Sequence, residues 1–281
     1  MIKGKPKGLG IWREEFSRAF WNGRFLAVLL LSLACFAYGL YDAGRFFPGL
    51  SMGADEPITA NTYELWLFVH FRSYFLYLAP IVAALPFADS LWVDRSQGFM
   101  RFILARTGYR QYLTAKLAAN LAAGAAAVGG PLLLLFLFTN LSGQRTPPVN
   151  SLVFTTWGAQ NGSPVGILAS WYPAQPDIYI LALIGLACLF GAVFATFGLA
   201  ISGLVNNRYV ILAAPFMLFM VSSYISDRAR HLGRHWSPEM LLIPYNTAGV
   251  TAATLLIQLT VLVLLSGLLL YFFGRRDRIV Q

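Results

Sequence analysis

Residues 178–207 pass without a single Asp, Glu, Lys or Arg, and residues 240–274 do the same. A helix needs roughly 20 consecutive apolar residues to cross the hydrocarbon core of a bilayer, and uncharged runs of this length rarely occur in a soluble fold. Shorter runs at 25–41, 73–88, 117–144 and 209–226 repeat the pattern. The composition agrees. Charged residues make up 12% and hydrophobic residues 57% of the 281, against about 25% and 45–50% in an ordinary soluble domain. Too few charges remain to coat a soluble particle of this size. The same numbers exclude a disordered chain and a coiled coil, and two cysteines exclude a disulfide scaffold. The expectation is an all-α, polytopic membrane protein.

Allowing for loop residues, the runs give six spans, at about 25–43, 72–93, 116–139, 178–204, 209–226 and 250–273. They form one transmembrane domain over 25–273, preceded by a tail and interfacial helix (1–24) and followed by a short tail (274–281). A further uncharged run, 146–176, is read as an external loop. Its five prolines would strand backbone groups in lipid, and Trp157, Trp171 and Tyr172 suit an interface. External loops are assigned to 44–71, 140–177 and 227–249. Fifteen of the 21 Lys and Arg then fall on the side of the N-terminus, while Arg45, Arg72, Arg145, Arg228, Arg230 and Arg234 fall on the other. The positive-inside rule places both termini in the cytoplasm. The first span lacks a small-residue cleavage site and reads as an anchor. The expected location is a plasma (inner) membrane, multi-pass and bacterial. Cys35 and Cys188 lie in spans and read as small hydrophobes.

Two cytoplasmic stretches carry most of the positive excess. Residues 9–24, LGIWREEFSRAFWNGR, place Leu9, Trp12, Phe16, Ala19 and Phe20 at helical spacing, with Arg13, Glu14, Ser17 and Arg18 opposite. This is an amphipathic helix lying in the interface, anchored by Trp12 and Trp21 and ended by Asn22-Gly23. Glu14 and Arg18, four apart, form a favourable helical pair. The connection 94–115 is too charged for lipid and too apolar for a free loop. Phe99, Phe102, Ile103 and Tyr109 supply an apolar side, Arg95, Arg101, Arg106 and Arg110 project elsewhere, and Thr107-Gly108 separates two short helices. Such a segment suits a groove on a cytoplasmic partner. The plainer alternative is a positive loop touching lipid headgroups.

The order Gly98, Phe102-Ile103-Leu104, a break at Thr107-Gly108, then Tyr112-Leu113 and Lys116 leading into a span resembles the permease subunits of type-2 ABC exporters. The N-terminal interfacial (elbow) helix ending in Asn22 to Phe25 is similar too, as are six spans and internal termini. The layout matches over essentially the whole chain, the motifs over about 9–26 and 94–116. Two departures stand out: the family's acidic pair before the glycine is reduced to Asp94, and the break lacks the common proline. The resemblance implies a half-transporter. A second permease chain, identical or not, would pair with it, and two ABC ATPase subunits would dock on the elbow helix and the 94–115 segment. The docking and coupling residues it implies are Gly98, Arg101, Phe102, Arg106, Tyr109 and Lys116, supported by Glu14, Glu15 and Arg18. No cofactor is expected in this chain, ATP and Mg belonging to the partner, and no nucleic acid. Indeed the sequence carries no G-x-x-x-x-G-K-[ST] phosphate loop; Gly124 and Gly129 have its spacing, but Gly130-Pro131 follow.

Small residues four apart, Ala118/Ala122/Ala126, Gly191/Ala195 and Gly198/Ser202, suit close helix packing, read here as intramolecular. Pro80, Pro86, Pro131 and Pro215 allow kinks. No span carries a central carboxylate or His, which argues against an ion-coupled carrier and favours an amphiphilic, peptide or lipid-like cargo. Outside, Arg228, Arg230 and Arg234 could form a basic mouth, while His231 and His235 lack a third metal ligand. Gly49-Leu50-Ser51-Met52-Gly53 has a G-x-S-x-G pattern, but in a loop without the strand-turn-helix context of a hydrolase. The other function classes are therefore a non-transporting membrane scaffold or assembly protein and an intramembrane enzyme.

Overall fold

The computed structural model describes residues 9–46, 61–142, 166–229, 236–245 and 249–280. Among these residues the fold is helical, in the order α1 (Leu9–Phe20), α2 (Gly23–Phe46), α3 (Thr62–Arg72), α4 (Phe75–Ala84), α5 (Ser90–Ser96), α6 (Phe99–Arg106), α7 (Tyr109–Ser142), α8 (Trp171–Ala174), α9 (Pro176–Leu204), α10 (Arg208–Arg228), a 3-10 turn (Pro238–Leu241) and α11 (Ala252–Val280). Five helices are long and apolar enough to cross a membrane; the bent pair α3 and α4 brings the number to six if it counts as one span. The chain is membrane-embedded.

Helices α7 and α9 form the centre. Half or more of their most apolar windows is buried, 50% and 56%, against 22% in α2, α10 and α11. The sequence accounts for the difference. The buried face of α7 is Ala119, Ala123 and Ala127, so its backbone comes close to its neighbours. A Cβ on Gly124 would lie 2.6 Å from the Gly191 carbonyl oxygen of α9, and one on Gly198 would lie 2.9 Å from Ala88 Cβ. Gly191 and Ala195 therefore serve intramolecular packing, as expected. On α7, however, Ala118, Ala122 and Ala126 are only half-buried, and the tight seam runs one residue further on. The outer helices turn large apolar side chains outward, among them Leu26 and Leu30 of α2 and Leu256, Val261, Leu264 and Leu268 of α11, as a lipid-facing surface requires.

Spans 25–43, 116–139, 178–204 and 209–226 each fall within one helix, and 250–273 does so from Ala252 onward. The second needs correction. The stretch 72–93 is not one helix: α4 and α5 are joined by turns around Pro86, held by Leu85 N–H to Ile81 O and Val93 N–H to Asp89 O. A further helix precedes it inside the supposed external loop 44–71. Helix α3 lies at 73° to α4 and is buried from Thr62 to His70. Hydropathy missed it because it is short and carries Glu64, His70 and Arg72. The fold accommodates these groups: Trp66 Nε1 donates to Leu132 O of α7, Tyr245 pairs with His70 Nδ1, and Arg72 pairs with Asp42 of α2.

The connection 94–115 also changes. Thr107-Gly108 does end a short helix, but no second short helix follows: α7 begins at Tyr109 and continues unbroken through Pro131. Arg110 to Lys116 thus belong to the first turns of a long central helix. Residues 240–245, within the stretch assigned to an external loop, form the end of the 3-10 turn and a buried segment beyond it. Of the supposed external basic mouth, Arg228 is exposed and lies over the Tyr224 ring; Arg230 and Arg234, like His231, His235 and Ser51, lie outside the described residues. Cys35 and Cys188 are free thiols.

Candidate functional site

Glu15, Arg18, Arg24, Asp89, Asp94, Lys116 and Arg208 meet in ion pairs at one end of the bundle. Ile11 of α1, Tyr112 of α7 and Leu199 of α9 form one apolar cluster there, with Leu270 of α11 packed against it. The elbow helix and the last turns of α11 thus sit at the same end.

Four ionised groups lie within this layer, two acidic and two basic. Lys116 Nζ sits 3.1 Å from Glu15 Oε2 and 2.7 Å from Asp94 Oδ2. Arg18 sits 3.2 Å from Glu15 Oε1 and 2.8 Å from Asp94 Oδ1. Tyr112 donates its hydroxyl to Asp94 Oδ2. Lys116, Asp94 and Glu15 are 0%, 1% and 2% exposed. A buried charge costs several kcal/mol unless it is paired and hydrogen-bonded, and here each is paired twice. Burial works against the charge of Asp94, but Lys116 and Arg18 outweigh it and hold the carboxyl below its ordinary value. Arg18 is pushed upward: burial opposes its charge, and the Asp94 and Glu15 carboxylates more than compensate. The ring joins α1, α5 and α7.

A second junction lies one and a half turns earlier in the chain. Asp89 accepts a hydrogen bond from Arg24 of α2 and forms an ion pair with Arg208 of α10, each at 2.7 Å. A third grips the end of α9. Arg95 donates to the carbonyls of Gly203, Ser202 and Val205 and to Asn206 Oδ1, while Trp92 Nε1 donates to Asn206 O. The last carbonyls of a helix have no partner within it, and a guanidinium there also complements the helix dipole. Asp89 to Arg95, a stretch of about two turns, therefore ties together α1, α2, α7, α9 and α10.

From this anchored stretch the chain passes through Gly98 into α6. Gly98 has φ +72, a left-handed conformation that glycine adopts without strain. It redirects the chain from α5 into α6, which lies on the outside of the bundle. None of the eight residues of α6 is buried. Phe102 is 72% exposed, and Phe99, Arg101 and Arg106 are exposed beside it. Met100, Ile103 and Leu104 pack inward.

The residues singled out from sequence thus separate into two groups. Gly98, Arg101, Phe102 and Arg106 lie on or beside the exposed α6, with Tyr109 half-buried at the first turn of α7. Glu15 and Lys116 offer no surface in this conformation; they join α1 to α7. Glu14 is exposed, and the helical pair is made by Glu15 with Arg18, not by Glu14. Asp94, Asp89 and Arg95 were not singled out. A signal for Asp94 existed: Lys116 opens a long apolar helix, and a lysine entering lipid needs a carboxylate. Which carboxylate depends on the packing of α5.

No protein-family model matches this sequence, and no curated protein matches it significantly.

Proposed function

We propose that this chain is the membrane-spanning permease subunit of an ATP-driven exporter of the type-2 ABC kind, with ATP hydrolysed by a separate subunit. The observation that carries the reading is α6. It is a short helix with exposed aromatic and basic side chains, hinged at Gly98 on a segment that is ion-paired or hydrogen-bonded to five other helices. A partner that grips Phe99, Arg101, Phe102 and Arg106 would move α5 and, through Asp89, Asp94 and Arg95, the ends of α1, α2, α7, α9 and α10 together. This converts a docking event at one end of the bundle into a change of helix packing. Both termini lie on the cytoplasmic side in this reading, and a second permease chain would cover part of the outward apolar surface of the peripheral helices. The uncharged centres of α2, α7, α9, α10 and α11 favour an amphiphilic, peptide or lipid-like cargo.

The test is retention of an ATPase. The intact chain, purified from its native membrane, should bring a P-loop ATPase with it. Arg101→Glu combined with Arg106→Glu should lose that subunit while the chain remains folded. A chain that retains no ATPase, or a double variant that retains it fully, overturns the docking reading and favours a membrane scaffold.

A further inference from the structure

A cleft of about 290 Å³ opens between the elbow helix and the α4–α5 turn, beside the junction at Asp89. Arg18, Trp21, Arg24, Asp89 and Ser90 line it. Its electrostatics are unbalanced. One carboxylate, Asp89, serves both Arg24 and Arg208, which leaves a unit of positive charge at the junction. The Glu15–Arg18–Asp94–Lys116 ring next to it is neutral and cannot offset that surplus. Arg18 and Arg24 each remain about one-third exposed despite their ion pairs, so both keep donors available to a ligand. The second observation is Ser90. Its residue is 4% exposed, it lines the cleft, and its hydroxyl has no hydrogen-bond partner among the described residues. Buried hydroxyls are normally satisfied.

We propose that this cleft holds the phosphate of an anionic phospholipid. Guanidinium groups and a hydroxyl donor are the chemistry a phosphate diester takes. A lipid is favoured over a free phosphate by what adjoins the cleft. Trp21 is 89% exposed at its rim, and an exposed indole suits the headgroup layer. Leu26 and Leu30 continue outward along α2 as a surface for acyl chains. The net charge of the junction selects an anionic headgroup over a zwitterionic one. The lipid would touch Arg18, which also belongs to the ring joining α1, α5 and α7. The proposal does not rest on the ATPase reading, because α6, which carries that reading, lies outside the cleft.

The experiment is native mass spectrometry of the full-length chain in detergent, titrated in parallel with phosphatidylglycerol and phosphatidylcholine. Phosphatidylglycerol should bind selectively. Ser90→Ala keeps every ion pair and should weaken that binding about tenfold, the effect of one charge-assisted hydrogen bond. Arg24→Gln leaves Asp89 its Arg208 partner and should weaken it at least as much. Arg101→Gln with Arg106→Gln, on α6, should leave it unchanged. Equal binding of the two lipids, or phosphatidylglycerol binding unaltered in either cleft variant, overturns the proposal. So does full displacement of phosphatidylglycerol by inorganic phosphate, which would make this a free-phosphate site. ATPase retention is a separate readout, so failure here leaves the docking proposal standing or falling by its own test.

Discussion

The elbow helix and α6 look alike as sequence: short, aromatic and amphipathic, each with two arginines. The structure uses them in opposite ways. In α1 Glu15 and Arg18 turn inward and close a balanced ring with Asp94 and Lys116, while Arg13 and Glu14 stay outside. In α6 the arginines and aromatics stay outside. The difference teaches that a cationic side chain on a membrane protein is structural where carboxylates meet it within a packed layer. It is exposed to a partner where it points outward from a helix resting on the bundle's surface. Counting positive charge along the chain does not separate the two cases; the location of the carboxylates does.

The comparison breaks most severely at Lys116. Lys116→Met leaves Glu15 and Asp94 buried with only Arg18 for company, and breaking a buried pair costs about 3–5 kcal/mol. Thermal unfolding in detergent should show a large loss. If Lys116→Met is as stable as the parent, the ring contributes nothing and the contrast with α6 collapses.

Acid should attack the same ring. The Asp94 carboxyl lies below its ordinary value of about 3.9. A depressed carboxyl contributes stability that is complete above the unfolded value and disappears as pH falls through the folded one. The unfolding temperature should therefore be insensitive to this group near neutrality and drop below about pH 4. Asp94→Asn should lower stability at neutral pH and shrink that acid-induced drop. An unchanged acid limb would assign the titration elsewhere.

The hinge sharpens the comparison from the other side. Gly98→Ala meets open space but must hold φ +72, at a cost of about 1–2 kcal/mol. A modest fall in stability, with weakened ATPase retention, is expected from the same unfolding and pull-down measurements. The smallest effect on stability belongs to α6 itself. Arg101→Glu plus Arg106→Glu should change it by no more than about 0.5 kcal/mol per site, although the same variant should abolish retention of the ATPase. A large destabilisation would show that α6 is structural after all.

Much of the helix layout was legible. Long uncharged runs became α2, α7, α9, α10 and α11, and Asn22-Gly23 and Thr107-Gly108 ended helices where turn chemistry said they should. Helix α3 was not legible, because Glu64, His70 and Arg72 make it look exposed. Only its packing beneath Leu132, Tyr245 and Asp42 reveals partners for its polar groups. The candidate site was half legible. The exposed group around Gly98, Arg101 and Phe102 follows from local amphipathicity. The inward turn of Glu15 and the roles of Asp89 and Asp94 depend on contacts between separate helices, such as Arg24–Asp89 and Lys116–Glu15, which are 65 and 101 residues apart in the chain.

The sequence by itself determined that this chain is helical and lives in a membrane, because uncharged apolar runs of this length have no other stable disposition. Small residues at helical spacing also showed that the third and fourth spans can pack closely, but their place at the centre of the bundle, and the face of α7 that meets α9, came from the tertiary structure. Only the tertiary structure decided which charges are buried as ties and which remain exposed. A buried charge is tolerable only beside its counter-charge, and the identity of that counter-charge is set by the packing of separate helices.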